Sequence, residues 1–186
     1  MKARPSHSPG EVTLELNRGD EPLMDAAASM ASRSPFKLKH ILVPIDFSDC
    51  SKKALEYAVP FAREHNAVIT LLYVADPAYN VGEYGGIDYA QLEGSMREEG
   101  EKELAQMAAD QLRGKVSTHT LVRLGSPARE IIEAARSLPA DIIVISTHGR
   151  TGLKHVFLGS VAEHVVQRAP CPVLVVREHE REILDL

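Results

Sequence analysis

The chain has 186 residues, 44% of them hydrophobic and 25% charged, which suffices for one well-buried core and falls short of two ordinary domains. A net charge of −5 without a basic run speaks against a nucleic-acid surface, and no apolar stretch reaches the roughly 18 residues of a membrane span. The amino terminus lacks the apolar core of a signal peptide, and the two cysteines, Cys50 and Cys171, stand in no disulfide or metal-cage spacing, so a reducing, cytoplasmic setting is expected.

Residues 1–36 are rich in Pro, Gly and Ser, with one alternating patch at Val12, Leu14 and Leu16. They read as a flexible extension, or else as a short strand or docking peptide. The domain proper is expected over 37–178, with a short tail over 179–186. It opens on Lys39 to Asp46, a continuous apolar run closed by turn residues, as a central parallel strand buried on both faces should look. Ser48 or Asp49 can cap a helix carrying Ala54, Leu55, Ala58, Phe61 and Ala62 at helical spacing, with Pro60 as a kink. A thiol at Cys50, beside that helix start, would feel the helix dipole; otherwise it is a small buried hydrophobe.

Ala67 to Val74 is a β-branched, apolar second strand, followed by a long loop over 76–88. A charged helix with Leu92, Met96, Leu104, Met107 and Ala108 on one side spans about 89–113, firm only after Gly100 because Gly94 and Gly100 weaken its first half. Thr118 to Leu124 is a third strand, and Ser126-Pro127 begins a third helix that Pro139 stops. Asp141 to Ile145 is the fourth strand, Ser160 to Arg168 a fourth helix, and Val173 to Val176 the fifth strand. This alternation predicts an α/β three-layer sandwich: a five-stranded, mostly parallel sheet with helices on both faces. Ligands of such sheets bind at the carboxyl ends of the strands beside a switch in strand order, which places Asp46, Val74, Gly125 and Ser146 on the functional edge.

The stretch from Ser146 to Ser160, STHGRTGLKHVFLGS, joins a buried strand to a helix. Gly149 and Gly152 allow close backbone approach, and the Gly159-Ser160 helix start offers N–H groups to an anion. Ser160 adds a hydroxyl, and Arg150, Lys154, His148 and His155 add positive charge. A tight turn with an ordinary helix cap explains the same residues, and the physics alone does not choose between the two. The GxxxxGK[ST] and GxGxxG loops are absent, and so are the HxGH and SGGxDS signatures of adenylyl transfer. A receiver domain would need an acid cluster where this chain has Asp46 alone.

Val43-Pro44-Ile45-Asp46-Phe47-Ser48, Leu72-Tyr73-Val74 and the run THGRTGLKHVFLGSVAEHVV resemble the universal stress proteins, the UspA-like family, over about 36–177. Members that bind ATP carry a glycine, two residues, a second glycine, nine residues and Gly-Ser or Gly-Thr. Gly149 and Gly159-Ser160 match that pattern, while Ser146 replaces the first glycine. The resemblance implies an ATP-binding regulatory module of the stress response, not a steadily turning-over enzyme. Pro44, Asp46 and Val74 would border adenosine, and Ser146, Gly149, Gly159, Ser160 and Val161 would hold ribose and phosphates. It further implies Mg²⁺ or Mn²⁺ held by the phosphates without an all-protein metal site, slow incidental hydrolysis, and a homodimer formed through Val173 to Val176. The competing expectation is a dimeric scaffold of the same fold whose pocket Ser146 narrows. For Asp46 the alternative is a strand-end carboxylate that caps the first helix.

Overall fold

The computed structural model describes residues 2–5, 12–15, 37–77, 89–149 and 158–178, and the chain divides into two units, Met1–Lys37 and Leu38–Leu186. In the first unit β1 (Lys2–Pro5) and β2 (Val12–Glu15) pair antiparallel. The alternating Val12 and Leu14 lie in β2, whereas Leu16 falls outside the described residues.

The second unit follows the expected alternation: β3 (His40–Ile45), α1 (Asp49–His65), β4 (Val68–Ala75), α2 (Tyr89–Leu112), β5 (Thr118–Leu124), α3 (Pro127–Ser137), β6 (Ile142–Ser146), α4 (Ser160–Arg168) and β7 (Val173–Val176). All strand pairings in its sheet are parallel, in the order β5-β4-β3-β6-β7. The chain moves outward from β3 to β5, then crosses to the other side of β3 for β6 and β7. Because crossovers of one hand place their helices on opposite faces when the direction reverses, α1 and α2 cover one face and α3 and α4 the other.

Strand alternation serves the two layers. Ile41, Val43, Ile69, Leu71 and Val144 pack with Ala54, Leu55 and Ala58 of α1 and Leu104 of α2, while Leu42, Leu72, Ile143 and Ile145 pack with Ile131, Ile132 and Ala135 of α3 and Val165 of α4. Leu55, Leu71, Leu72 and Ile143 are fully buried. Each such side chain is worth about 1.5–3 kcal/mol relative to exposure, so the five-stranded sheet with its helices is where the stabilisation of this unit concentrates.

One expectation is corrected here. The second helix is continuous from Tyr89 and runs through Gly94 and Gly100. Gly100 is buried, and a Cβ at this position would stand 2.6 Å from Cδ1 of Tyr73. The glycine that lowers helix propensity therefore lets α2 lie close against β4, and tertiary contact offsets the local cost. α1 likewise continues through Pro60. Most of the 76–88 loop, the 179–186 tail, and Arg150, Gly152, Lys154 and His155 lie outside the described residues. Among the described residues no helix is long and apolar enough to cross a membrane.

Candidate functional site

The strand order reverses at β3 and β6, so the carboxyl ends of these two strands form the switch point. The local ladder explains why they part there. Lys39 O accepts from Val68 N at 2.8 Å and His40 O accepts from Asp141 N at 2.9 Å. Odd residues of β3 therefore turn their peptide groups to β4 and even residues to β6. The next rung to β6 beyond Leu42 needs an N–H at position 44, and Pro44 has none. Pairing with β6 stops at Leu42↔Ile143, while pairing with β4 continues to Ile45↔Tyr73. A proline in a central strand thus opens the sheet on one side alone.

Asp46 follows β3 at this opening. Its Oδ1 accepts from Ser48 N (3.1 Å) and Ser48 Oγ (2.6 Å). Ser48 in turn caps α1, its Oγ accepting from Ser51 N at 3.2 Å. The capping role considered for Asp46 belongs to Ser48, and Asp46 braces the cap. Between them Phe47 takes a left-handed backbone, φ 66, costly for a bulky residue. Its ring packs at 4.9 Å on that of Tyr73. The other Asp46 oxygen, Oδ2, lies against Gly149, where any Cβ would collide with it. Asp46 and Gly149, about a hundred residues apart in the chain, thus touch across the switch point.

On the β6 side, the hydroxyl of Ser146 donates to His148 O at 2.9 Å, and the residue is buried. The side chain that replaces the family glycine is therefore folded back onto its own loop. Thr147, also buried, donates its N–H to Val176 O (2.8 Å) and accepts from Gly159 N (2.8 Å). It ties β7, the loop and α4 together; sequence reasoning missed it, because a threonine after a strand carries no distinguishing signal. His148 Nδ1 lies 3.0 Å from Thr147 Oγ1.

Gly159 caps α4 with an ordinary φ of −69. Its need for glycine is steric, since a Cβ would stand 2.9 Å from Thr147 O. Its amide is already engaged by that same carbonyl, so the groups that α4 can offer an anion are the N–H groups of Ser160, Val161 and Ala162, which helix geometry leaves without intrahelical acceptors. Glu163 N, the next in line, bonds Gly159 O. Val74 and Val161 pack at the margin of the α3–α4 cluster, and Pro44 shares the face of Leu42 by strand alternation. Pro44 and Val74, two of the residues expected to border adenosine, therefore lie on the same side of the sheet as the start of α4.

A groove of about 560 Å³ lies elsewhere, between the start of α1 and α2, lined by Phe47, Lys52, Glu99, Lys102, Met107 and Asp110 among others. It reaches the switch point through Phe47 alone, and its mixed charge gives it no clear chemistry. Among the described residues no three His, Cys, Asp or Glu gather to hold a metal ion. Cys50 is buried and Cys171 half-buried, both as thiols. Burial, then the Asp141 carboxylate, raise the Cys171 thiol above its ordinary value, which keeps it protonated and unreactive.

The model of the universal stress protein family matches residues 37–177. The chain belongs to the universal stress protein family. Universal stress protein MJ0531 of Methanocaldococcus jannaschii is 38% identical over 144 residues, 77% of this chain and 85% of that protein. The solved structure of MJ0577, from the same organism, superposes with a TM-score of 0.68 at 29% identity, covering 78% of this chain and all of that one. Two more distant structures share the fold: a universal stress protein in complex with cAMP, at 23% identity and TM-score 0.52, and a family protein from Arabidopsis thaliana with AMP bound, at 21% and 0.54.

Proposed function

We propose that this universal stress protein binds an adenine nucleotide, ATP first among them, at the β3/β6 switch point, and that it works as a regulatory module without steady turnover. The observation that carries this reading is the meeting of Asp46 with Gly149 in the opening made by Pro44, on the side of the sheet where α4 begins. Pro44, Val74 and Val161 supply apolar margins for a base. Asp46 is an acceptor suited to ribose hydroxyls. The first amides of α4 and the Ser160 hydroxyl suit phosphate oxygens. The relatives with cAMP and AMP bound support the nucleotide class by sharing the fold.

The residues fit the nucleotide better than they fit catalysis. The hydroxyl–imidazole pair at the switch point, Thr147 with His148, has a buried threonine that a substrate would not reach, and a divalent cation would be held by the phosphates with water. The inward turn of the Ser146 hydroxyl favours an open cleft over the scaffold reading, in which Ser146 closes it. We further propose a homodimer through β7, an edge strand that carries Val173, Leu174, Val175 and Val176; apolar edges of this kind are usually covered. Two unpaired cysteines suit the cytoplasm.

Equilibrium dialysis with labelled ATP, ADP, AMP and cAMP tests the binding reading. Micromolar binding that is lost in Gly159→Glu, which puts bulk against Thr147 O and negative charge at the start of α4, is the expected result. No binding by the native protein would return the scaffold reading. Sedimentation at tens of micromolar tests the dimer, and a monomer alone would remove it.

A further inference from the structure

The seam that opens at Pro44 is closed at its other end by a side chain. Asp141 Oδ2 accepts from Lys39 N at 2.7 Å and from His40 N at 2.9 Å, while Asp141 N donates to His40 O at 2.9 Å. Three bonds thus tie the residue before β6 to the start of β3. Beyond them the ladder between these strands has two register pairs, Ile41↔Ile142 and Leu42↔Ile143, against six between β3 and β4 and four between β6 and β7. The seam that bears the cleft is the shortest ladder of the sheet, and its bonds are concentrated at the amino end.

We propose that Asp141 is a positioning residue for the nucleotide cleft, a clasp that sets from the far end of the seam how far apart Asp46 and the 146–149 loop stand. This rests on the binding reading above. At roughly 3.3 Å per residue, Asp46 lies about 16 Å along the chain from Ile41, so the two strands act as levers pivoting where Asp141 holds them. Loosening the pivot leaves the β3–β4 and β6–β7 ladders intact and moves the contact between Asp46 and Gly149. Both amides converge on one oxygen of the carboxylate, so the carbonyl oxygen of an asparagine can receive them in the same place, whereas alanine offers none.

The test compares Asp141→Ala and Asp141→Asn with the native full-length chain by amide exchange and ATP dialysis at a temperature where all three are folded. Ile143 N donates to Pro172 O on the β7 side, so Ile142 and Val144 face β3, and the amides that report the seam are those of Leu42 and Val144. Ile69, whose N–H goes to Ser117 O on the β5 side, is the control. In Asp141→Ala the Leu42 and Val144 amides are expected to exchange on the order of tenfold faster with Ile69 unchanged, and ATP affinity to fall by about tenfold. Asp141→Asn is expected to recover most of both. Exchange that rises evenly across the sheet, or a loosened seam with unchanged ATP affinity, would overturn the positioning role. A native protein that binds no adenine nucleotide would overturn the functional reading instead, and the exchange of Leu42 and Val144 would then support or overturn the clasp by itself.

Discussion

The two sides of β3 are made from the same six residues and behave differently. Toward β4 the odd residues pair without interruption from His40↔Val68 to Ile45↔Tyr73, and the strands share the fully buried Ile41, Val43, Ile69 and Leu71. Toward β6 the even residues pair until Pro44 withholds its donor, and beyond that point Asp46 is held by its bonds to Ser48 and the Ser146 hydroxyl by His148 O, with no rung between β3 and β6. The difference teaches where stability and function are kept apart in this fold. A strand can be a core element on one edge and the wall of a cleft on the other, because its peptide groups alternate in direction.

Perturbing the stable side has the largest expected effect. Leu71→Ala empties a fully buried site and is expected to cost about 2–5 kcal/mol, read from urea unfolding, while the folded fraction keeps its ATP affinity. An affinity that falls in step with stability would mean that the two sides are not separable. Ser48→Ala removes the cap that Asp46 braces and is expected to cost about 1 kcal/mol. It should also weaken ATP binding a few-fold, because Asp46 Oδ1 loses the Ser48 hydroxyl and keeps the bond from the backbone N–H of residue 48. A variant with the stability loss and native affinity would show that Asp46 is held by Gly149 and its surroundings without Ser48.

Pro44→Ala sharpens the comparison from the other direction. It restores a donor facing β6, so the new amide is expected to be protected from exchange as the ladder lengthens, and ATP affinity to drop by a few-fold as the opening narrows. Fast exchange at position 44 would show that something other than the missing donor parts the strands.

The smallest expected effect is on pH. Burial raises the Asp141 carboxyl, but the Lys39 and His40 amides, with their neighbouring charges, outweigh it and leave the group below its ordinary value of 3.8. A carboxyl depressed in the folded state contributes stability that is present above its unfolded pKa and is lost as pH falls through the folded one. Acid unfolding should therefore begin below about pH 4 with a shallow slope that Asp141→Asn removes, as the difference between the two urea-midpoint curves would show.

Much of this molecule was legible in its amino acids. The order and type of the strands and helices of the second unit follow from short apolar runs alternating with helical stripes, and the resemblance to the family rests on the residues around Asp46, on Leu72-Tyr73-Val74 and on the run from Thr147 onward. Expectation and structure part at Gly100, at the Gly159 amide and at Thr147. In each case the deciding partner lies outside the local segment: Tyr73 for Gly100, Thr147 O for Gly159, and Val176 O for Thr147. Propensity and motif spacing carry information about neighbours along the chain, so they specify which elements form and which edge can bind. The meeting of Asp46 with Gly149, the two-pair seam below it and the clasp of Asp141 on Lys39 and His40 arise when β6 is laid beside β3, and only the tertiary structure decides them.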